Sequence, residues 1–229
     1  MNFTRYAVYY LPPADAPWAQ WATRWLGWDC ITGQLVAQPD IDALPQPPDL
    51  LTATPRKYGL HATIKPPMRL ATGRSADDLA QALATLCGRT APVTMDGLKI
   101  QKMGRFLALR PVGDVTALNT LAATCVTELD PFRGPQTEGE LAKRRAGGLT
   151  PTQEANLVQF GYPYVRDEFR FHITLSGRLA AEHLTSVENA LQDHLGAMLP
   201  KPFEITDLAL AGEGPEGRFH LIHRYTLTG

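Results

Sequence analysis

The chain has 229 residues, 44% of them hydrophobic, and a formal net charge of −1, enough apolar material for one large domain or two closely packed lobes around a real core. So balanced a charge excludes a surface built to wrap long nucleic acid, whose affinity comes from many phosphate contacts, while a small anionic ligand remains compatible. Cys30, Cys87 and Cys125 stand far apart without Cys-x-x-Cys spacing, which excludes a disulfide framework or thiolate metal site and fits a reducing cytoplasm.

The first residues form no basic and apolar leader, and no apolar run approaches about 18 residues, so a chain that neither crosses nor sits on a membrane is expected. Tyr6–Leu11 reads as a strand. Beyond Pro12-Pro13, Trp18, Trp21 and Trp25 recur at helical spacing and predict a helix over 17–26 whose aromatic stripe faces the core rather than stacking on bases. Residues 37–56 hold Pro39, Pro45, Pro47, Pro48 and Pro55 and predict a loop rimming the next strand. In Tyr58–Lys65, alternation sets Gly59, His61, Thr63 and Lys65 on one side and Tyr58, Leu60, Ala62 and Ile64 on the other, with Tyr58 in the core.

Pro66-Pro67 reads as a break, followed by a helix over 75–87, a strand over 93–100 and a second strand opening with Gly104-Arg105-Phe106. A helix over 118–128 leads to a polar loop over 131–148 that contains Lys143, Arg144 and Arg145. Thr150 as N-cap, Pro151 at the first helical position and Gly161 as terminator bound a helix over 151–160. Phe169–Ser176 alternates like the first such strand, with Arg170, His172, Thr174 and Ser176 opposed to Phe169, Phe171, Ile173 and Leu175. A break at Ser176-Gly177, a helix over 180–195, a strand over 203–211 and a strand opening Gly217-Arg218-Phe219 and running to Leu227 complete the chain.

Two halves emerge, each a His-x-Thr strand followed by helix, strand, Gly-Arg-Phe and strand. A lone His-x-Thr is common by composition, and its null is a hydrogen-bonded core histidine. A pair in matched contexts points to function. Along a strand, imidazole and hydroxyl lie about 7 Å apart, and two such strands face to face make a four-pronged polar site. Opening a cyclic phosphodiester with water needs a base for the water and an acid for the departing sugar oxygen. Imidazole, with an ordinary pKa near 6.5, serves as either. Hydroxyls donate to the non-bridging oxygens.

On His61-Ala-Thr63 and His172-Ile-Thr174, the chain resembles the two-histidine phosphoesterase superfamily. The longer stretches Leu60–Pro67 and Phe169–Gly177, the Arg5-Tyr-Ala-Val-Tyr opening and Gly161-Tyr-Pro-Tyr-Val are similar to the branch encoded with phosphonate-degradation genes. The resemblance implies an α+β, bilobal, pseudo-two-fold LigT-like fold over 1–229, with antiparallel sheets lining a central cleft and helices outside. Its pseudo-repeat halves would span 57–110 and 168–227, packed by the strand and helix of 4–28 and the connecting helices of 115–162. It also implies catalysis by His61 and His172, phosphate binding by Thr63 and Thr174, no metal, and no cofactor. The expected reaction is hydrolysis of a small ribose cyclic phosphate, preferably a phosphoribosyl cyclic phosphate arising in phosphonate breakdown. A 2′,3′-cyclic nucleotide or an RNA end is the alternative substrate.

Lys65 is expected as a further phosphate contact, and Arg170 and Ser176, on the same faces, as substrate contacts. Arg105 and Arg218 are read as surface charges of hairpin tips. His183 and His194 lie too far apart on one helix to share an ion, and His220 and His223 fall on opposite strand faces, so none of the four is read as a ligand. A rival reading, a non-catalytic module binding RNA or nucleotide ends, rests on the tryptophan stripe and the Lys143–Arg145 cluster. A scaffold with an inactive cleft is a third. The sequence sets no oligomeric state, and a monomer is compatible with it.

Overall fold

The computed structural model describes residues 2–229. Strand β1 (Arg5–Tyr10) leads to α1 (Pro17–Leu26), which Pro17 starts and Gly27 ends in the left-handed conformation at φ 82°, where glycine carries no Cβ penalty. The short pair β2 (Trp28–Asp29) and β3 (Gln34–Leu35) follows. The proline-rich stretch, expected as a loop, also folds into two single turns, α2 (Pro48–Leu51) and α3 (Ala53–Arg56). Strand β4 (Ala62–Met68) carries the first motif, and α4 (Ala76–Cys87) begins in a Ser75–Asp78 capping box. The strand expected over 93–100 is divided at Asp96 into β5 (Val93–Met95) and β6 (Gly97–Met103), and β7 (Phe106–Val112) returns alongside β6.

Helix α5 (Thr116–Glu128) precedes the region expected as a polar loop, which contains α6 (Glu138–Arg145), opened by a Thr137–Glu140 capping box. Helix α7 (Pro151–Phe160) has the Thr150 cap and Gly161 terminator that its sequence announces. The second motif strand is shorter than alternation suggests: β8 spans only Ile173–Thr174, although Phe169, Phe171, Ile173 and Leu175 all remain buried. Helix α8 (Leu184–Leu195), β9 (Phe203–Ile205), β10 (Asp207–Glu213) and β11 (Phe219–Thr226) complete the fold.

Seven strands form one antiparallel sheet in the order β11-β10-β1-β4-β8-β7-β6, and β5 pairs with β9 apart from it. The motif strands β4 and β8 are therefore central neighbours, and each Gly-Arg-Phe hairpin pairs on the side of the other half's motif strand. Helices α1, α4, α5 and α8 bury one face of the sheet, where Val8, Tyr10, Ala62, Ile64, Ile173 and Leu210 join a single core. On the opposite face Ala7, Tyr9, Ala209 and Ala211 pack with Trp28, Cys30 and Phe219 in a second, smaller core. Trp18 and Trp25 point into the core as expected, and the Trp25 indole donates to the Leu175 carbonyl at 2.7 Å, tying α1 to the second motif.

Pro66-Pro67 does not end β4. The strand passes through both prolines beside β1, where the register slips twice, and a proline lacking its N–H is tolerated at such irregularities. The slip between Tyr9↔Thr63 and Val8↔Lys65 advances β1 by one residue and β4 by two. Directly opposed residues of an antiparallel pair share a face, so Thr63 faces the cleft with Tyr9 while Lys65 turns with Val8 toward the helices. A one-residue bulge reverses the side on which everything beyond it points.

Candidate active site

One backbone pairing assembles the site: Ala62 of β4 lies opposite Ile173 of β8 in antiparallel register. His61 consequently falls opposite Thr174 and Thr63 opposite His172, all on the face away from the helices. The four side chains line one cavity of about 310 Å³. The two histidines are diagonal neighbours across the pair, with backbones roughly 7–8 Å apart, a separation that lets two imidazoles flank one phosphoryl group.

Each imidazole is aimed in the same way. His61 Nδ1 lies 3.0 Å from the Gly59 carbonyl oxygen and His172 Nδ1 2.7 Å from that of Arg170. A carbonyl only accepts, so both Nδ1 atoms carry hydrogen and Nε2 is the atom of each ring left to exchange a proton. His61 Nε2 is 3.3 Å from the Thr63 hydroxyl. Gly59 adopts φ +73° to present its carbonyl, and a Cβ there would meet Cys30 Cβ at 2.8 Å. Burial pushes the His61 proton affinity down to about 4, the Gly59 hydrogen bond opposing and the nearby His172 reinforcing the shift. His172 is shifted the same way, by burial first and then by the Arg110 charge.

The other expected site residues separate. Lys65 is a correction: with 2% exposure it donates to the Val126 carbonyl at 3.0 Å and pairs with Asp130 at 3.4 Å, outside the cavity that holds the histidines. Ser176 is a second correction, buried and bonded to the Leu107 amide and the Gly177 carbonyl, so it shapes the β7–β8 junction rather than meeting a ligand. Arg170 lines a neighbouring chamber of about 450 Å³ that shares Thr63, Tyr162 and His172 with the histidine cavity. Tyr58 does not enter the core as expected. The turn at Gly59 interrupts alternation, so its ring stands 5.4 Å from that of His61 and lines the cavity.

Sequence reasoning missed Arg5, Tyr9, Arg144 and Tyr162 in the same cavity. Arg5 is held by hydrogen bonds to Glu213, 2.5 and 2.6 Å long. Arg144 sits over the Tyr162 ring, 4.4 Å from its centroid. Its helix was announced by Thr137-Glu-Gly-Glu140, a capping-box signature. Tyr9 packs its ring 4.2 Å from that of His61, and its buried hydroxyl has no partner among the described residues.

The family described as "Protein of unknown function (DUF1045)" matches residues 63–220, well over half of the chain. The chain belongs to that family. This DUF1045 protein is 37% identical over 217 residues to a Janthinobacterium protein named ribose 1,5-bisphosphate phosphokinase PhnN, covering 93% of this chain and 48% of the relative. A Laribacter hongkongensis protein of the same name is 33% identical over 212 residues, covering 87% of this chain and 46% of the relative. The chain thus spans about half the length of the curated relatives it matches. The crystal structure of E. coli LigT complexed with 3′-AMP is similar over 100% of both chains at 16% identity and a TM-score of 0.50. The α+β fold of this DUF1045 protein is accordingly LigT-like. Among the described residues, no helix is long and apolar enough to cross a membrane.

Proposed function

We propose that this chain is a metal-independent cyclic phosphodiesterase that opens a small ribose cyclic phosphate to a phosphomonoester. The observation carrying this reading is the Ala62↔Ile173 pairing, which sets two identically oriented imidazoles and two threonine hydroxyls around one cavity. With phosphorus between the Nε2 atoms, one imidazole takes a proton from the attacking water as the new P–O bond forms. The other gives its Nε2 proton to the ribose oxygen as the old P–O bond breaks. His61, whose half-buried ring is unprotonated at neutral pH, is the base, and His172 is the acid, its protonated form favoured by the bound phosphate. Thr63 and Thr174 donate to the non-bridging oxygens, and Arg5 and Arg144 supply positive charge at the rim. Each proton transfer contributes roughly 10² to 10⁴ in rate, so no metal is required.

The curated relatives' names concern ribose bisphosphate, which supports a phosphoribosyl substrate. The kinase activity in their names is not carried over to the part of their length that this chain matches. The 229 residues hold no Gly-x-x-x-x-Gly-Lys-Ser/Thr loop, the cradle that such phosphoryl transfer from a nucleotide commonly uses. A 2′,3′-cyclic nucleotide is the second reading, favoured by the adjoining chamber walled by Phe106, Tyr162 and Tyr164.

The test is hydrolysis of ribose cyclic phosphates and 2′,3′-cyclic AMP with EDTA present, by wild type, His61→Ala and His172→Ala. Turnover surviving EDTA and falling about 10² to 10⁴ in each variant supports the proposal. Wild type inert toward the whole panel, or variants as active as wild type, refutes it.

A further inference from the structure

A third cavity of about 260 Å³ opens beyond the aromatic chamber, lined by Arg110, Arg170, Asn119, Val115 and Phe169 among others. It shares Phe169 and Arg170 with that chamber, which in turn shares His172 with the cavity holding both histidines. Arg110 lies two residues along β7 from Ala108, which pairs with Thr174, and this places it abreast of His172.

Arg5, Arg69, Arg133, Arg145 and Arg224 each face a carboxylate. Arg110 and Arg170 form no such ion pair among the described residues. One arm of each is held by backbone: Arg110 Nη1 donates to the Phe171 carbonyl at 2.8 Å, and Arg170 Nη1 to those of Phe169 and Asp167 at 2.8 and 3.1 Å. The remaining N–H groups are left for another acceptor. Two like charges stand close enough that Arg170, after burial, weakens Arg110's hold on its proton. Half-buried Arg110 beside exposed Arg170 makes a locally positive pocket suited to an anion, and the guanidinium fork matches the oxygens of a phosphate.

We propose that Arg110 and Arg170, with the Asn119 amide, form a second phosphate subsite that holds a further phosphoryl group of the substrate whose cyclic ester lies between His61 and His172. The assignment rests on the phosphodiesterase reading and narrows it to substrates with two phosphates, one remote from the reacting one.

Titration calorimetry at low salt with adenosine 3′-monophosphate and adenosine 3′,5′-bisphosphate tests the subsite without requiring turnover. Wild type should bind the bisphosphate at least about tenfold tighter, and the advantage should shrink with added salt, as ionic contacts do. In the double variant Arg110→Gln/Arg170→Gln the ratio should fall to within about twofold, whereas Arg170→Lys, which retains charge, should keep part of it. Equal affinities in wild type, no binding of either ligand, or an advantage surviving in the double variant would overturn the subsite. If 2′,3′-cyclic AMP is hydrolysed but the two ligands bind equally, only the subsite fails. A bisphosphate advantage without hydrolysis of any cyclic ester keeps the subsite and removes the catalytic reading.

Discussion

Replacing Lys65 with methionine separates two descriptions of strand β4. With uninterrupted alternation, the ammonium would stand beside Thr63 and reach the phosphate. Its loss would then remove a charge-assisted hydrogen bond of about 1.5–3 kcal/mol, roughly 10- to 150-fold in kcat/KM. The bulge turns it instead toward Val126 and Asp130, so kcat/KM should stay within about twofold of wild type.

Stability carries the consequence. Burial pulls the Lys65 proton affinity from its ordinary 10.5 to about 8 against the opposing attraction of Asp130. Because the folded value lies below the unfolded one, the unfolded chain binds more protons between those two pH values. Wild-type stability therefore rises with pH across that window, by at most about 3 kcal/mol, and is lost as pH falls through it. The methionine variant has no such proton to release. At pH 7 it sheds a desolvation cost of similar size but leaves the Val126 carbonyl and Asp130 short of a donor, about 1–3 kcal/mol. The two effects nearly cancel. Urea unfolding at pH 7 to 10, with kcat/KM measured alongside, tests the account, because titrations common to both proteins drop out of the difference. A tenfold loss of kcat/KM at pH 7, or the same alkaline rise in stability in both proteins, would refute it.

The pH profile of kcat/KM reports the free enzyme. With His61 held near 4 as base and His172 lowered as acid, the optimum should lie on the acid side of 6.5, and an acid limb centred at 6.5 or above would contradict this assignment. Gly59→Ala should destabilise the fold by about 1–2 kcal/mol through left-handed strain alone, and should lower kcat by displacing the carbonyl that aims His61, as thermal melts and steady-state rates would show. Tyr9→Phe keeps the ring against His61 while removing a buried hydroxyl without a partner. Its unfolding midpoint should rise, by about 1 kcal/mol in stability, and a fall would show that the hydroxyl is satisfied in solution.

Much of the architecture was legible because local signals and tertiary demands agreed. The Trp18 and Trp25 spacing, the Thr150 cap and the alternation through Ile173 each express a requirement met within a few residues. Helix α6 was missed because Lys143, Arg144 and Arg145 gave it no apolar stripe. It buries no side chain, so periodicity was silent and only its capping box spoke. Lys65 and Tyr58 were misplaced for a different reason. Alternation propagates from a starting residue only while pairing is regular, and a bulge on one side of Thr63 and a left-handed glycine on the other each break it.

The amino-acid order by itself determined the two His-x-Thr units, their matched successions of elements and the apolar faces that bury them, since these depend on neighbours along the chain. Tertiary structure alone decided that β4 and β8 lie side by side with Ala62 against Ile173, that Arg5 and Arg144 reach the same cavity, and that Lys65 does not. Those outcomes depend on pairing between segments far apart in the chain, and in the strands a shift of one residue exchanges core for cleft.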